Sequence, residues 1–355
     1  MRGTLTIVCA IAATGLAVNG LVPAAPAFPR DRLTIVSWGG ALQLGQRKAW
    51  FEPFSKATGI EIVEDEYNGE AAKIRAMVQS KTVSWDVVDG YSVWVNQLCA
   101  DGILEKIDWK RLGLDRTKFV DGERYDCGVP SVISATIVAY DKDRLPNGPK
   151  TIADLFDTQK LPGKRGLWKN PQDNLEWALI ADGVAIKDVY KTLGTREGVE
   201  RAFKKLDTIK NDVIWWTSGA QPVQLLADGQ VVMTSAWNGR ISDAARNTGR
   251  HFQIMWDAAK WGTGNVWVIP KGSPRLDAAY RFIEFAASPQ VQGKLTEYIA
   301  YPPANNDATA FLDPAILPDL VTAPGHVGNS LHSDADFWAD KGDELKQRFT
   351  AWLAK

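Results

Sequence analysis

Strand-like and helix-like segments alternate along this chain, and no Ser- or Pro-rich linker divides it into two sequential halves. Residues 33–38 form an apolar run that Gly39-Gly40 ends, which is the pattern of a strand followed by a tight turn. The segment after this turn places Trp50 and Phe54 on one face of a helix. Alternation of this kind is typical of a parallel sheet covered by helices, so the sequence predicts the α/β class.

The same pattern continues along the rest of the chain. Further strands are predicted at residues 60–64, 86–89, 129–140, 213–217, 231–236 and 266–270. Helices are predicted at residues 70–78, 221–228 and 334–353, and also where Ala279, Phe282, Ile283 and Ala286 repeat at the spacing of one helix face. Two α/β units without a linker indicate that the chain crosses between two lobes more than once, and the cleft between them is a natural ligand site.

The N-terminus has the order of features of an export signal. Arg2 supplies a positive end, residues 5–18 are apolar or small, and residues 25–27 (Ala-Pro-Ala) form a small-residue cleavage site. A buried N-terminal strand or helix is the alternative interpretation. We predict a signal peptide at residues 1–27, cleaved after Ala27, and an exported mature protein. Outside the first thirty residues, no stretch of 18 apolar residues is present, so no permanent membrane span is expected.

Two of the three cysteines remain after cleavage. Cys9 lies inside the apolar signal, whereas Cys99 and Cys127 belong to the mature chain. An exported compartment permits a disulfide between them. The alternative is a pair of buried free thiols, and we favour the bridge.

Charge and motifs exclude several classes of function. Lys+Arg is 41 and Asp+Glu is 42, a balance that argues against a nucleic-acid binder and against a polybasic membrane-surface protein. The sequence contains no G-x-S-x-G elbow, no Walker loop and no G-x-G-x-x-G. Gly262-Thr-Gly264 is only a G-x-G before a strand. We therefore expect no enzyme activity and no cofactor, and we keep a secreted two-lobed enzyme as the last alternative.

One polar cluster near the C-terminus allows two interpretations. His326, His332, Asp334 and Asp336 could form a metal site. We favour a polar loop that caps the final helix, with Asp336 at the helix start, and no metal.

The aromatic residues give the most specific indication of a binding site. The chain has fifteen Trp, and several aromatics stand where a predicted strand or helix ends: Trp38, Tyr91, Trp237 and Tyr301. Aromatics at the ends of several elements can converge into a box that holds an ammonium group by cation–π attraction. Ordinary core packing is the alternative for any single Trp, and for the whole set we favour a ligand box.

These segments resemble the periplasmic spermidine/putrescine-binding proteins of ABC importers. The resemblance covers nearly all of the mature chain, and the matching stretches are residues 33–40, 85–91, 226–240, 268–272, 278–287 and 301–302. It implies a two-lobed type II periplasmic-binding-protein fold with the ligand cleft between the lobes. The implied lobes are 28–135 plus 262–305 and 136–261 plus 306–355, with hinge crossings near 135 and 262 and a third exchange near 305.

The resemblance also implies a set of ligand contacts. Trp38 and Trp237 match the family's aromatic walls, Tyr301 matches a tyrosine of the cleft, and Asp173 stands where the family has an acid that grips an ammonium group. Asn170 and Asn265 stand where the family often has Asp. The remaining expected contacts lie in or next to the matching stretches: Gly39, Tyr91, Ser92 and Arg240.

The expected function follows from this set. The resemblance implies capture of a polyamine such as putrescine or spermidine, and delivery to the membrane subunits of an ABC permease by a monomeric protein. Arg240 beside the aromatic box is a poor neighbour for a polycation. The alternative ligand is therefore an amino acid, an opine or another zwitterion, whose carboxylate Arg240 would grip in a bidentate fork.

Overall fold

A computed structural model describes residues 32–355 of the chain, and the predicted signal peptide lies outside the described residues. The strands of this part form one mixed sheet. They are β1 (Arg32–Ser37), β2 (Glu61–Glu66), β3 (Val87–Tyr91), β4 (Val129–Asp141), β5 (Arg165–Trp168), β6 (Val213–Trp216), β7 (Met233–Trp237), β8 (Phe252–Val268) and β9 (Leu331–His332).

Two parallel groups of strands flank a central antiparallel pair. The order across the sheet is β2-β1-β3-β8-β4-β7-β5-β6, and β9 pairs with β8. β1 runs parallel to β2 and β3, and β5 runs parallel to β6 and β7. The long strands β4 and β8 are antiparallel to each other: the end of β8 pairs with β3, and the second half of β4 pairs with β7. The end of β8 therefore adjoins one parallel group, and the second half of β4 adjoins the other.

The predicted strand at 266–270 overlaps only the end of β8, which runs from Phe252 to Val268. Sequence periodicity missed its first half because Asp257 and Lys260 interrupt the apolar pattern. The structure gives both charges partners, since the Asp257 carboxylate accepts the Ile152 N–H at 2.7 Å and Lys260 is ion-paired. The strand is also irregular here, with a register shift between Thr136 and Val138 of the facing strand.

Helices cover the sheet and connect its strands. A π-helical segment, Arg47–Phe51, joins the first two of them. The helices are α1 (Gly40–Gln46), α2 (Glu52–Thr58), α3 (Ala72–Gln79), α4 (Ser92–Ala100), α5 (Trp109–Leu112), α6 (Ala153–Phe156), α7 (Asn174–Ala181), α8 (Val189–Leu193), α9 (Arg196–Asp207), α10 (Gln221–Ala227), α11 (Asn238–Asn247), α12 (Leu276–Ala287), α13 (Pro289–Gly293), α14 (Pro324–Val327) and α15 (Ala335–Leu353). Within residues 32–355, no helix combines the length and the apolar character that a membrane crossing requires.

The final helix begins as the sequence predicts, but a different residue caps it. The Asp334 carboxylate accepts the Phe337 N–H at 3.0 Å, so Asp334 is the N-cap. Asp336, the predicted cap, instead forms an ion pair with Arg124 at 2.8 Å. An N-cap side chain must lie just before the first helical turn to reach its free N–H groups, and Asp336 already lies inside that turn.

Two large apolar clusters support the two parallel groups. One contains Trp50, Phe54 and the predicted α12 face with Phe282. The other contains Trp177 of α7 and Trp338 of α15. Both bury large aromatic side chains, which supply much of the hydrophobic stabilisation of a core.

Cys99 and Cys127 form a disulfide, with their Cα atoms 5.6 Å apart. This confirms the bridge over the alternative of two free thiols. The bridge ties α4 to the residues that lead into β4.

Candidate functional site

Three of the predicted box aromatics converge at the ends of different strands. The Trp38 ring centroid lies 5.7 Å from that of Tyr91 and 5.6 Å from that of Trp237. Trp237 in turn contacts Trp168 and Trp216 at 5.9 and 5.8 Å. Because these residues follow or end β1, β3, β5, β6 and β7, their clustering places the candidate site where strand ends meet.

A small cavity of about 30 Å³ lies against this cluster. Six of the ten predicted ligand contacts line it: Trp38, Tyr91, Trp237, Arg240, Asn265 and Tyr301. The sequence analysis missed its three other wall residues, Leu42, Ser134 and Gly264. Gly264 is the second glycine of the Gly262-Thr-Gly264 motif. In the structure, a Cβ at this glycine would lie 2.2 Å from the Ser134 hydroxyl oxygen.

The remaining predicted contacts lie beside this cavity. Gly39 presents its backbone carbonyl to Arg240, and Ser92 is buried at the start of α4. Asn170 lines a second cavity of about 640 Å³, which shares Trp38 and Tyr91 with the small one. Its side-chain oxygen accepts the Gln172 N–H at 3.0 Å, so it shapes the loop before α7.

The junction between β7 and α11 positions Trp237 and Arg240. Trp237 is the last strand residue, and the helix begins at Asn238 without an intervening loop. The Asn238 amide donates to the Ala300 carbonyl at 2.8 Å, and its oxygen accepts the Ala135 N–H at 3.0 Å. These bonds attach the first turn of α11 both to β4 and to the segment that carries Tyr301.

Arg240 is a buried cation in the cavity wall. Its Nη2 donates to the carbonyls of Trp38 and Gly39 at 3.1 and 3.2 Å, whereas its Nε has no hydrogen-bond partner among the described residues. No carboxylate of the described chain lies within ion-pair distance of it. Burial lowers the pKa of Arg240, but an arginine side chain stays charged in proteins. An unpaired buried N–H beside a cavity favours an anionic ligand group, because leaving it unmatched is costly.

The predicted acid does not line this cavity. Asp173 Oδ1 lies 2.9 Å from Lys260 Nζ, and Glu176 Oε1 lies 2.9 Å from the same nitrogen. The Trp338 indole also donates to Glu176 Oε1 at 2.9 Å. Burial alone would lower the pKa of Lys260, but the two carboxylates hold it well above its usual value. Lys260 therefore occupies the place at Asp173 that the sequence analysis assigned to a ligand ammonium group.

Gly40 and Gly219 make room for two side chains of the cavity wall, because neither glycine carries a Cβ atom. A Cβ at Gly40, where φ is +57°, would lie 2.6 Å from Arg240 Nη1. A Cβ at Gly219 would lie 2.2 Å from the Trp237 ring and 2.9 Å from Arg240 Nε. Real Cβ atoms do not approach other atoms so closely, so both positions require glycine for this arrangement.

The alternative metal cluster does not assemble. His326 Nδ1 bonds the Leu320 carbonyl and its ring stacks on Trp256, while His332 packs against Trp261. Within the part of the chain that the structure describes, no three His, Cys, Asp or Glu residues are grouped as metal ligands.

Three comparisons with known proteins agree with this architecture. The gamma-aminobutyric acid-binding protein of Pseudomonas aeruginosa is 42% identical over 341 residues, 96% of each chain. The spermidine/putrescine-binding periplasmic protein of Salmonella typhimurium is 26% identical over 330 residues, 88% of each chain. The solved structure of the binding protein MotA from A. tumefaciens B6 in complex with glucopine is 34% identical with a TM-score of 0.84, and covers 91% of this chain and 99% of that one.

A family model described as "Bacterial extracellular solute-binding protein" matches residues 49–326. The similarity to MotA confirms the two-lobed type II periplasmic-binding fold, and the predicted resemblance to the spermidine/putrescine-binding proteins is confirmed. The relatives are named as binding proteins and not as enzymes, and the family acts outside the cytoplasm. The chain belongs to the bacterial extracellular solute-binding proteins, and its role is that of the component that binds a small solute for an ABC importer.

Proposed function

We propose that the protein captures a small zwitterion with one ammonium and one carboxylate group, with gamma-aminobutyric acid (GABA) as the favoured ligand, and delivers it to the permease. The observation that carries the proposal is the unpaired Nε of the buried Arg240 in the cavity wall. A ligand carboxylate would satisfy it, with Trp38 and Trp237 enclosing the rest of the molecule. The GABA-binding relative, at 42% identity, supports the same ligand class.

A polyamine is less well supported than the sequence resemblance implied. The relative named for spermidine and putrescine is only 26% identical. No carboxylate lines the small cavity in the described structure, and Asp173 and Glu176 are already paired with Lys260. A second ligand ammonium would meet the charge of Arg240 without a counter-charge, and an unpaired buried charge costs several kcal/mol.

Replacing Arg240 tests the ligand class. In Arg240→Gln, we expect GABA to bind about 10- to 100-fold more weakly, the loss for a hydrogen bond to a charged group, while putrescine binding stays unchanged or improves. Isothermal titration calorimetry of both ligands against the parent and the variant measures this. Arg246→Gln is the matched control, because Arg246 lies on the same helix and pairs weakly with Asp319 at 4.0 Å. Tighter binding of putrescine than of GABA to the parent protein would reject the proposal.

We also propose that ligand binding closes the two lobes. A cavity of about 30 Å³ has room for roughly one water molecule, so the walls must lie further apart than they do here to admit and hold a zwitterion. The pairing of β4 with β7 begins at Thr136, and that of β8 with β3 begins at Asn265. These positions support the predicted crossings near 135 and 262, and thus lobes of 28–135 plus 262–305 and 136–261 plus 306–355.

This closure has a measurable consequence. Saturating GABA should reduce the radius of gyration in small-angle X-ray scattering and change the Trp emission, because Trp38 and Trp237 would enclose the ligand. The Arg240→Gln protein at the same GABA concentration is the control, since it should stay open. Superimposable scattering curves for the free and the saturated parent protein would contradict closure.

The proposal extends to the location and state of the mature protein. Export by a signal peptide cleaved after Ala27 would release a monomer into the periplasm. One relative is periplasmic by name, which supports this location.

A further inference from the structure

We propose that Asp89 is the counter-charge for the ligand's ammonium group and that it acts through Asn265, which it orients toward the cavity. This inference rests on the proposed function, because it names the group that serves the end of the ligand opposite to Arg240. No wall residue of the small cavity is a carboxylate, so the nearest negative charge must act from behind the wall.

Asp89 is a fully buried carboxylate that is held by neutral donors. Its Oδ2 accepts hydrogen bonds from Gln46 Nε2 at 2.8 Å, Asn265 Nδ2 at 2.6 Å and Ser37 Oγ at 3.3 Å. Its Oδ1 accepts one from Ser131 Oγ at 3.2 Å. Across residues 32–355, no Lys, Arg or His lies within ion-pair distance of it. The hydrogen bonds stabilise the charge but do not cancel it.

This network determines which atom Asn265 offers to the ligand. An ionised carboxylate only accepts hydrogen bonds, so the Asn265 amide must direct its NH₂ group toward Asp89. The amide oxygen is then the atom left for the cavity, which Asn265 lines. An oxygen acceptor with a negative charge behind it attracts an ammonium donor and repels a carboxylate.

Asp89 also fixes one aromatic wall, but through its backbone. The Trp38 indole N–H and the Tyr67 hydroxyl both donate to the Asp89 carbonyl at 2.8 Å. A change of the Asp89 side chain leaves this carbonyl in place. Effects of the carboxylate on binding can therefore be separated from effects on the Trp38 wall.

The state of the carboxylate should depend on pH within an accessible range. Burial raises the pKa of Asp89 to about 6, although the hydrogen bonds from Gln46, Asn265, Ser131 and Ser37 lower it. The ionisable groups that face it are Tyr67 and Tyr301, and burial raises the pKa of both, so they stay neutral near pH 6. Protonation of Asp89 removes the counter-charge and frees Asn265 to rotate. GABA affinity should thus fall as the pH decreases through about 6.

The test is calorimetric titration of GABA between pH 5 and pH 8. The parent protein should bind about tenfold more weakly at pH 5 than at pH 8, as expected for one proton with a pKa near 6. Asp89→Asn should bind GABA weakly at both pH 5 and pH 8, so its affinity should not change with pH. Butyrate, which has the carboxylate but no ammonium group, should not weaken on acidification. A parallel fall for butyrate would overturn the role of Asp89.

A second variant keeps the proposal testable if Asp89→Asn does not fold. Ser131→Ala removes one donor that lowers the Asp89 pKa, so the fall in affinity should move to higher pH. If the parent protein and Ser131→Ala both bind GABA with an affinity that does not change with pH, the assignment of Asp89 is overturned but the proposed function is left intact. Absence of GABA binding to the parent at pH 8 would overturn both.

Discussion

Replacing Lys260 with methionine is expected to lower the free energy of unfolding by about 3–5 kcal/mol, the range for removing one partner of a buried ion pair. Lys260 is only 6% exposed, and its Nζ lies 2.9 Å from the carboxylates of both Asp173 and Glu176. Without the ammonium, two buried negative charges would face each other, and one oxygen of each already lacks a partner. Urea unfolding followed by Trp fluorescence measures the loss.

The pH dependence identifies the cause of this loss. Burial raises the pKa of Glu176, and replacing Lys260 removes the positive charge that opposes that shift. The folded variant would then bind more protons than the unfolded chain above pH 4, so its stability should increase as the pH falls from 8 to 5. The control is the variant that combines Lys260→Met with Asp173→Asn and Glu176→Gln, which removes the charges and should recover most of the stability. A loss below about 1 kcal/mol in Lys260→Met would contradict the ion-pair account.

Removing the Cys99–Cys127 bridge is expected to destabilise the protein by about 3–4 kcal/mol. The two cysteines are 28 residues apart, and the value follows from the entropy that a closed loop of this length removes from the unfolded chain. The double variant Cys99→Ala/Cys127→Ala, unfolded in guanidinium chloride, gives the difference from the oxidised parent protein.

The reduced parent protein is the control for this prediction, because it lacks the bridge but keeps both side chains. Its stability should lie close to that of the double variant. GABA affinity should stay the same in all three proteins, since neither sulfur lines the ligand cavity. Equal stability of the oxidised and reduced proteins would show that the bridge does not constrain the unfolded chain.

The sequence predicts that the aromatic residues of the candidate site lie together, for a physical reason. Trp38, Tyr91 and Trp237 each stand where an apolar run ends, and strand ends of one sheet lie near each other. The same local patterns predict most strands and the buried face of α12. Local patterns indicate two α/β lobes, and the resemblance adds the family and the type II periplasmic-binding fold.

The charged part of the site was predicted less well, because its partners come from distant parts of the chain. Asp173 lies just before α7, Lys260 lies in the first half of β8, and Trp338 lies in α15. No local spacing relates these residues, so the sequence analysis treated Asp173 as free to hold a ligand ammonium. The same difficulty hid Asp89, which is a single acid inside an otherwise apolar strand until its four donors are seen around it.

Gly40 and Gly219 affect how ligands can be assigned to related proteins. The spaces beside them hold the Arg240 guanidinium and the Trp237 ring, and a single methyl group at either position would overlap these side chains. A homologue could therefore keep Trp38, Trp237 and Arg240, and still present a cavity of another shape if it carried alanine at position 40 or 219. Counting shared contact residues would assign such a homologue to the wrong ligand class. Positions 40 and 219 should be compared first, because glycine at both decides whether the shared contact residues can adopt the same positions.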